Sequence, residues 1–168
     1  YGGTGSWFGF ASRAGKTYGS SNAPVDPGSG GAGEQYFSSL GANGGGSIQI
    51  HAVNVASISG ILSADGQRAA NGYGSGSGGG IYITCQRFRG ETTGVIRANG
   101  GPGDSGVGHT NRTSGGGGRI AIQGAGPHAY LGTTNALTGR GGGEGGPGTD
   151  GTVLYIELQF PGTILMVR

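Results

Sequence analysis

Gly78-Gly79-Gly80-Ile81-Tyr82-Ile83 is a glycine run that leads straight into alternating isoleucines. The same pattern recurs at Gly44-Gly45-Gly46-Ser47-Ile48-Gln49-Ile50 and at Gly116-Gly117-Gly118-Arg119-Ile120-Ala121-Ile122. A looser copy is Asp150-Gly151-Thr152-Val153-Leu154-Tyr155-Ile156. Aligned on Ile48, Ile81, Ile120 and Val153, the copies are spaced by 33, 39 and 33 residues. Self-similarity at such a period marks a repeat architecture. Isoleucines two apart place one apolar row on one face of a strand, and no segment shows helical periodicity with caps.

A second motif follows each of the first three copies. It reads Gly60-Ile61-Leu62-Ser63-Ala64-Asp65-Gly66, then Gly94-Val95-Ile96-Arg97-Ala98-Asn99-Gly100. The third, weaker copy reads Asn135-Ala136-Leu137-Thr138-Gly139-Arg140-Gly141. Each repeat is thus strand, linker, strand, turn and long Gly/Ser loop, with Asp65 and Asn99 before glycine as turn residues. One such unit cannot bury its apolar face alone, whereas stacked units can. The expected fold is all-β: a glycine-rich β-solenoid, a right-handed parallel β-helix, with isoleucines stacked in ladders. The alternative is two packed antiparallel sheets with long loops, which are unusual in a compact domain unless they pack on one another as a second, glycine-dense layer.

The repeat divides the chain into three. Residues 1–42 form an irregular, aromatic and Gly-rich flank or cap holding Trp7, Phe8, Phe10, Tyr18, Tyr36 and Phe37. Residues 43–160 form the repetitive β-solenoid, and residues 161–168 an apolar C-terminal strand set off by Pro161-Gly162.

Composition agrees with this division. There are 45 glycines in 168 residues, 33% hydrophobic and 11% charged residues. Glycine at every third position would mark collagen, and Gly44-Gly45-Gly46 breaks that period. Disorder would call for more charge and fewer β-branched residues. Glycine loses more conformational freedom on folding than any other residue, so the excess needs a geometric reason. Positive φ at turns and close backbone approach are the two expected. A net charge of +2, with basic residues spread along the chain, argues against a nucleic-acid partner. Cys85 is alone, so it has no intrachain disulfide partner. No apolar run reaches transmembrane length. A start at Tyr1 without methionine or signal peptide points to a processed product or a piece of a longer chain.

Tyr18-Gly19-Ser20, then Pro24-Val25-Asp26-Pro27-Gly28-Ser29-Gly30-Gly31, then the G-G-G-x-I-x-I and I-x-A-[DN]-G copies, and last Gly151-Thr152-Val153 with its apolar strand follow in order. This series resembles the glycine-rich repeat regions of very large secreted or cell-surface proteins of bacteria and protists, over Tyr18 to Leu158. The extra residue in Thr152–Ile156 and the polar-aromatic N-terminus depart from it. The resemblance implies a β-helical surface stalk or adhesin and no enzyme activity.

Chemical motifs are sparse. Ala14-Gly15-Lys16-Thr17 ends like a phosphate-binding loop, but Phe10 stands where that motif needs its first glycine. His51, His109 and His128 have no Cys, His or carboxylate at metal-ligand spacing. None has an activated Ser or Cys beside it for a catalytic triad. Cys85 follows the strand Ile81–Thr84 and reads as a small buried or half-buried residue rather than a nucleophile. The acidic residues Asp26, Glu34, Asp65, Glu91, Asp104, Glu144, Asp150 and Glu157 are scattered, without a clustered carboxylate pair for polysaccharide cleavage. Calcium is the one cofactor the residues admit, with Asp65, Asp104 and Asp150 in Gly-rich turns as oxygen ligands; the competing reading is local Asx-turns. Asn111-Arg112-Thr113 is a glycosylation acceptor sequence at Asn111.

The expected function is structural: a subunit or segment of an extracellular fibre, filament or surface stalk without catalysis. Its partner is itself, in a head-to-tail homopolymer, with Ile164, Leu165, Met166 and Val167 as self-association candidates. A second reading is an adhesin or glycan-binding module using Trp7, Tyr73, Tyr82 and Tyr130 as stacking platforms. A third is a polysaccharide-active β-helix enzyme. An ice-binding solenoid lacks its regular Thr-x-Thr rows.

Overall fold

The computed structural model of the chain describes residues 1–5, 15–33, 41–69, 74–103, 113–126, 128–140 and 148–158. These hold ten strands and no helix: β1 (Ser47–His51), β2 (Val55–Ser57), β3 (Ile61–Ser63), β4 (Gly80–Cys85), β5 (Arg87–Gly90), β6 (Val95–Arg97), β7 (Arg119–Gly124), β8 (Ala129–Tyr130), β9 (Thr133–Asn135) and β10 (Thr152–Glu157). They form three sheets with orders β1-β4-β7-β10, β2-β5-β8 and β3-β6-β9. Every pairing is parallel. The antiparallel alternative is therefore overturned: each of the first three repeats contributes one strand to each sheet, and among the described residues the fourth adds β10 to the first sheet.

In the first sheet Ile48 pairs with Ile81, Ile81 with Ile120, and Ile120 with Val153. Ile81, Ile83, Ile120 and Ile122 are 0% exposed, each stabilising the fold by about 1.5–3 kcal/mol relative to exposure. The second sheet falls in what reads as linker. Its strands are short, and exposed Arg87 and Arg89 flank the single buried side chain of β5, Phe88. In the third sheet Val95 pairs with Thr133 and Arg97 with Asn135. The third copy of the second motif therefore begins at Gly132, three residues before Asn135. Thr133 and Thr134 stand where the earlier copies have apolar residues, which hides the true start; buried Ala64, Ala98 and Ala136 mark the correct register.

Between the third strand of one repeat and the first strand of the next, the described residues are glycine-rich segments without strand or helix. The best enclosed of these is Gly74–Gly79. Gly74 and Ser77 donate their N–H groups to Ala32 and Ser29, Ser75 and Gly78 to Thr113 and Gly116, and Gly76 and Gly79 to Gln67 and Ala64. A three-residue period is that of the polyproline II helix, in which successive amides point about 120° apart. In water such a backbone is solvated; here its donors are taken by neighbouring segments.

Close packing of backbone on backbone explains the glycines. A Cβ on Gly76 would overlap the Asn43 carbonyl oxygen, one on Gly115 that of Gly76, and one on Gly100 that of Gly115. Positive φ contributes at one position among the described residues, Gly19, at 80°. Neither Asp65 nor Asn99 lies in a turn or bend.

The described part of the N-terminal flank lies across a face of the first sheet. Ser47 Oγ donates to the Val25 carbonyl, Arg119 Nε to that of Tyr18, and Gln123 Nε2 to that of Asn22. Pro24 is buried there, and a Cβ on Gly80 would meet the Pro24 and Asp26 carbonyls. Residues 28–33 and 41–42 join the glycine layer, with Gly28 N–H on Gly45 O and Gly31 N–H on Ala42 O. The described part of residues 1–42 is thus packed into the same body as the repeat.

Candidate functional site

The two strands at the outer edges of the first sheet, β1 and β10, and the side chains in the last repeat are the places where the regular pattern stops. Phe88 and His128 meet edge-on with ring centroids 6.1 Å apart. Tyr130 lies against Phe88 at 5.1 Å and Tyr155 against His128 at 5.3 Å. Among the described residues neither His128 ring nitrogen, both buried, has a hydrogen-bond partner. Tyr155 reaches Thr134 Oγ1 at 2.7 Å. Burial pushes the Tyr130 phenol up from its ordinary value, with Tyr155 adding to the effect.

A row of side-chain acceptors links the repeats. Asp65 Oδ1 accepts the Asn99 N–H and Asn99 Oδ1 that of Leu137. Asp150 Oδ1 accepts the Thr138 N–H. Asp65 Oδ2 also takes Ser63 Oγ at 3.0 Å and the Arg97 guanidinium at 2.6 Å. The Asp65 and Asp150 carboxylates thus hold backbone rather than converge, and Asp104 lies outside the described residues. Among the described residues no group of three or more His, Cys, Asp or Glu is placed to hold a metal. The A-[DN]-G motif repeated one period apart is the signal that foretells this row.

The other sequence candidates are dispersed. Cys85 is buried, and that burial pushes its thiol up from its ordinary value. His51 Nδ1 lies 2.7 Å from Thr84 Oγ1. Tyr82, in the first sheet, donates to Gln123 Oε1, whereas Tyr130, in the second, lies against Phe88. Trp7, Tyr73, His109, Asn111 and the C-terminal Ile164, Leu165, Met166 and Val167 lie outside the described residues. Gly15-Lys16-Thr17 is exposed, extended chain, without the helix a phosphate loop needs.

A cleft of about 480 Å³ opens on the glycine layer between Tyr1, Gly3, Gly30, Ser75 and Ser114. Among the described residues that line it, Tyr1 and Lys16 carry ionisable side chains and none is a carboxylate. Tyr1 is 2% exposed, and its phenol is pushed up to about 12, first by burial and then by Asp26. Among the described residues no helix is long and apolar enough to cross a membrane. Comparison of the chain with protein-family models, with curated proteins and with solved structures gives no match in any of the three.

Proposed function

We propose that the chain is a glycine-rich β-solenoid, a right-handed parallel β-helix, that serves as a structural segment of an extracellular fibre or surface stalk and performs no catalysis. The observation that carries this reading is the strand order β1-β4-β7-β10, parallel throughout, with one strand per repeat. Right-handed coiling is the strongly preferred sense for a parallel crossover. Placement at the cell surface follows from the resemblance to secreted repeat regions. A body built from a repeated unit has the shape of a rod, and among the described residues no further strand pairs with the outer edges of β1 and β10. Such edges template further pairing unless covered or blunted. Head-to-tail association through them makes a filament rather than a closed ring.

Electron microscopy and sedimentation of the purified chain over a range of concentrations test this. Unbranched fibres that grow with concentration are expected. A protein that stays monomeric and is retained on immobilised glycans would replace the structural reading with that of a glycan-binding module.

A further inference from the structure

A row of glycines runs beside the isoleucine ladder, one before each strand of the first sheet: Gly46, Gly79, Gly118 and Gly151. A Cβ on Gly79 would overlap the Gly46 carbonyl oxygen, one on Gly118 that of Gly79, and one on Gly151 that of Gly118. Each of these three is glycine because the preceding repeat lies against it. Gly46 heads the row, and among the described residues nothing lies within 4 Å of a Cβ placed there. Among the described residues, no contact accounts for its lack of a side chain.

The apolar ladder is unfinished at the same places. Its inner members are 0% exposed, whereas Tyr155 on β10 is 45% exposed and Ile48 and Ile50 on β1 are half-buried.

From these two observations we infer that copies of this chain join with β10 of one alongside β1 of the next, parallel, Val153 beside Ile48 and Tyr155 beside Ile50. The Gly151 carbonyl of one copy then lies against Gly46 of the next, as the Gly46 carbonyl lies against Gly79 within a copy. A slip of one residue would set Val153 beside Gln49 and turn the apolar row outward. This inference rests on the filament reading above and adds its joint and register.

Gly46→Ala separates the two. Its methyl group meets open space among the described residues of the isolated chain, so the monomer's melting point does not fall and, as at Gly60, rises slightly. In the joint it strikes a carbonyl, and the protein concentration needed for fibres rises by about ten- to a hundredfold, the equivalent of an overpacking cost. Gly60→Ala is the control, because its Cβ also meets nothing within 4 Å and β3 lies outside the proposed contact; it polymerises as wild type. A double variant, Gln49→Cys with Leu154→Cys, should give a ladder of disulfide-linked oligomers under oxidation, since the buried native Cys85 cannot. Fibres formed equally well by Gly46→Ala, or without the disulfide ladder, overturn this joint and leave the filament reading standing. A wild-type chain that never associates overturns both.

Discussion

Asp65 accepts the backbone N–H of Asn99 through Oδ1 at 2.7 Å, tying one repeat to the next at the point where the third strand gives way to glycine. Its other oxygen holds Arg97 and Ser63. Asp65→Ala should cost about 1.5–3 kcal/mol, the range for hydrogen bonds to a charged group. Asp65→Asn keeps the backbone acceptor and should lose less. Urea unfolding of both variants measures the difference; an alanine variant as stable as wild type would mean that the row supports nothing. Because the same oxygens are occupied, added calcium or a chelator should leave the Asp65-dependent stability unchanged.

Substitution within the glycine layer should divide by packing, not by position in the chain. Gly115→Ala drives a methyl group into the Gly76 carbonyl and should cost about 1–3 kcal/mol or unfold the protein. Gly60→Ala meets open space at an ordinary φ and should gain about 0.4–1 kcal/mol by restricting the unfolded chain. Thermal melts of the two variants check the contrast.

His128→Phe should stabilise the last repeat. Both ring nitrogens are buried without partners among the described residues, and the neighbouring aromatic, Phe88, is fully buried. Removing unpaired buried polar atoms is worth about 1–3 kcal/mol, less whatever the slightly larger ring costs in packing. A variant less stable than wild type would show that the imidazole has a polar partner in solution.

Alkali should loosen the packing of the flank on the first sheet. The Tyr1 phenol is raised from 10.0 to about 12, so the fold favours its neutral form. That contribution is fully present below pH 10 and is lost as the pH rises through 12. Absorbance titration at the phenolate band should show a late-titrating tyrosine that disappears in Tyr1→Phe, and the variant should lose less stability between pH 10 and 12 than wild type.

The strands of the first sheet are legible in the sequence because their ladder is spelled twice, once in isoleucine and once in the glycines before it. Ile48, Ile81, Ile120 and Val153 align without a gap. The second sheet is not legible: a strand of two to four residues offers too few positions for alternation to appear, and in β5 the inward position is a single phenylalanine between arginines. The third copy of the second motif misleads for a different reason. Thr133 and Thr134 make β9 polar in a sheet whose other strands are apolar, while Leu137, which draws the eye, is 41% exposed. As for the candidate residues, the A-[DN]-G motif identifies Asp65 and Asn99 as special, but whether such a side chain serves a turn or the neighbouring repeat depends on what lies beside it.

In most domains evolutionary drift collects in the connections, because they lie on the surface and touch little. Here that rule is inverted. A nucleotide change at the first or second base of a glycine codon installs a side chain, and at Gly76, Gly100 or Gly115 there is a carbonyl oxygen where that side chain would stand. Outward strand positions such as Gln49, Arg87 and Arg89 are exposed and free to vary. A saturation mutagenesis map of this protein should therefore show its intolerant positions in the segments without regular secondary structure and its permissive ones in every second residue of the sheets.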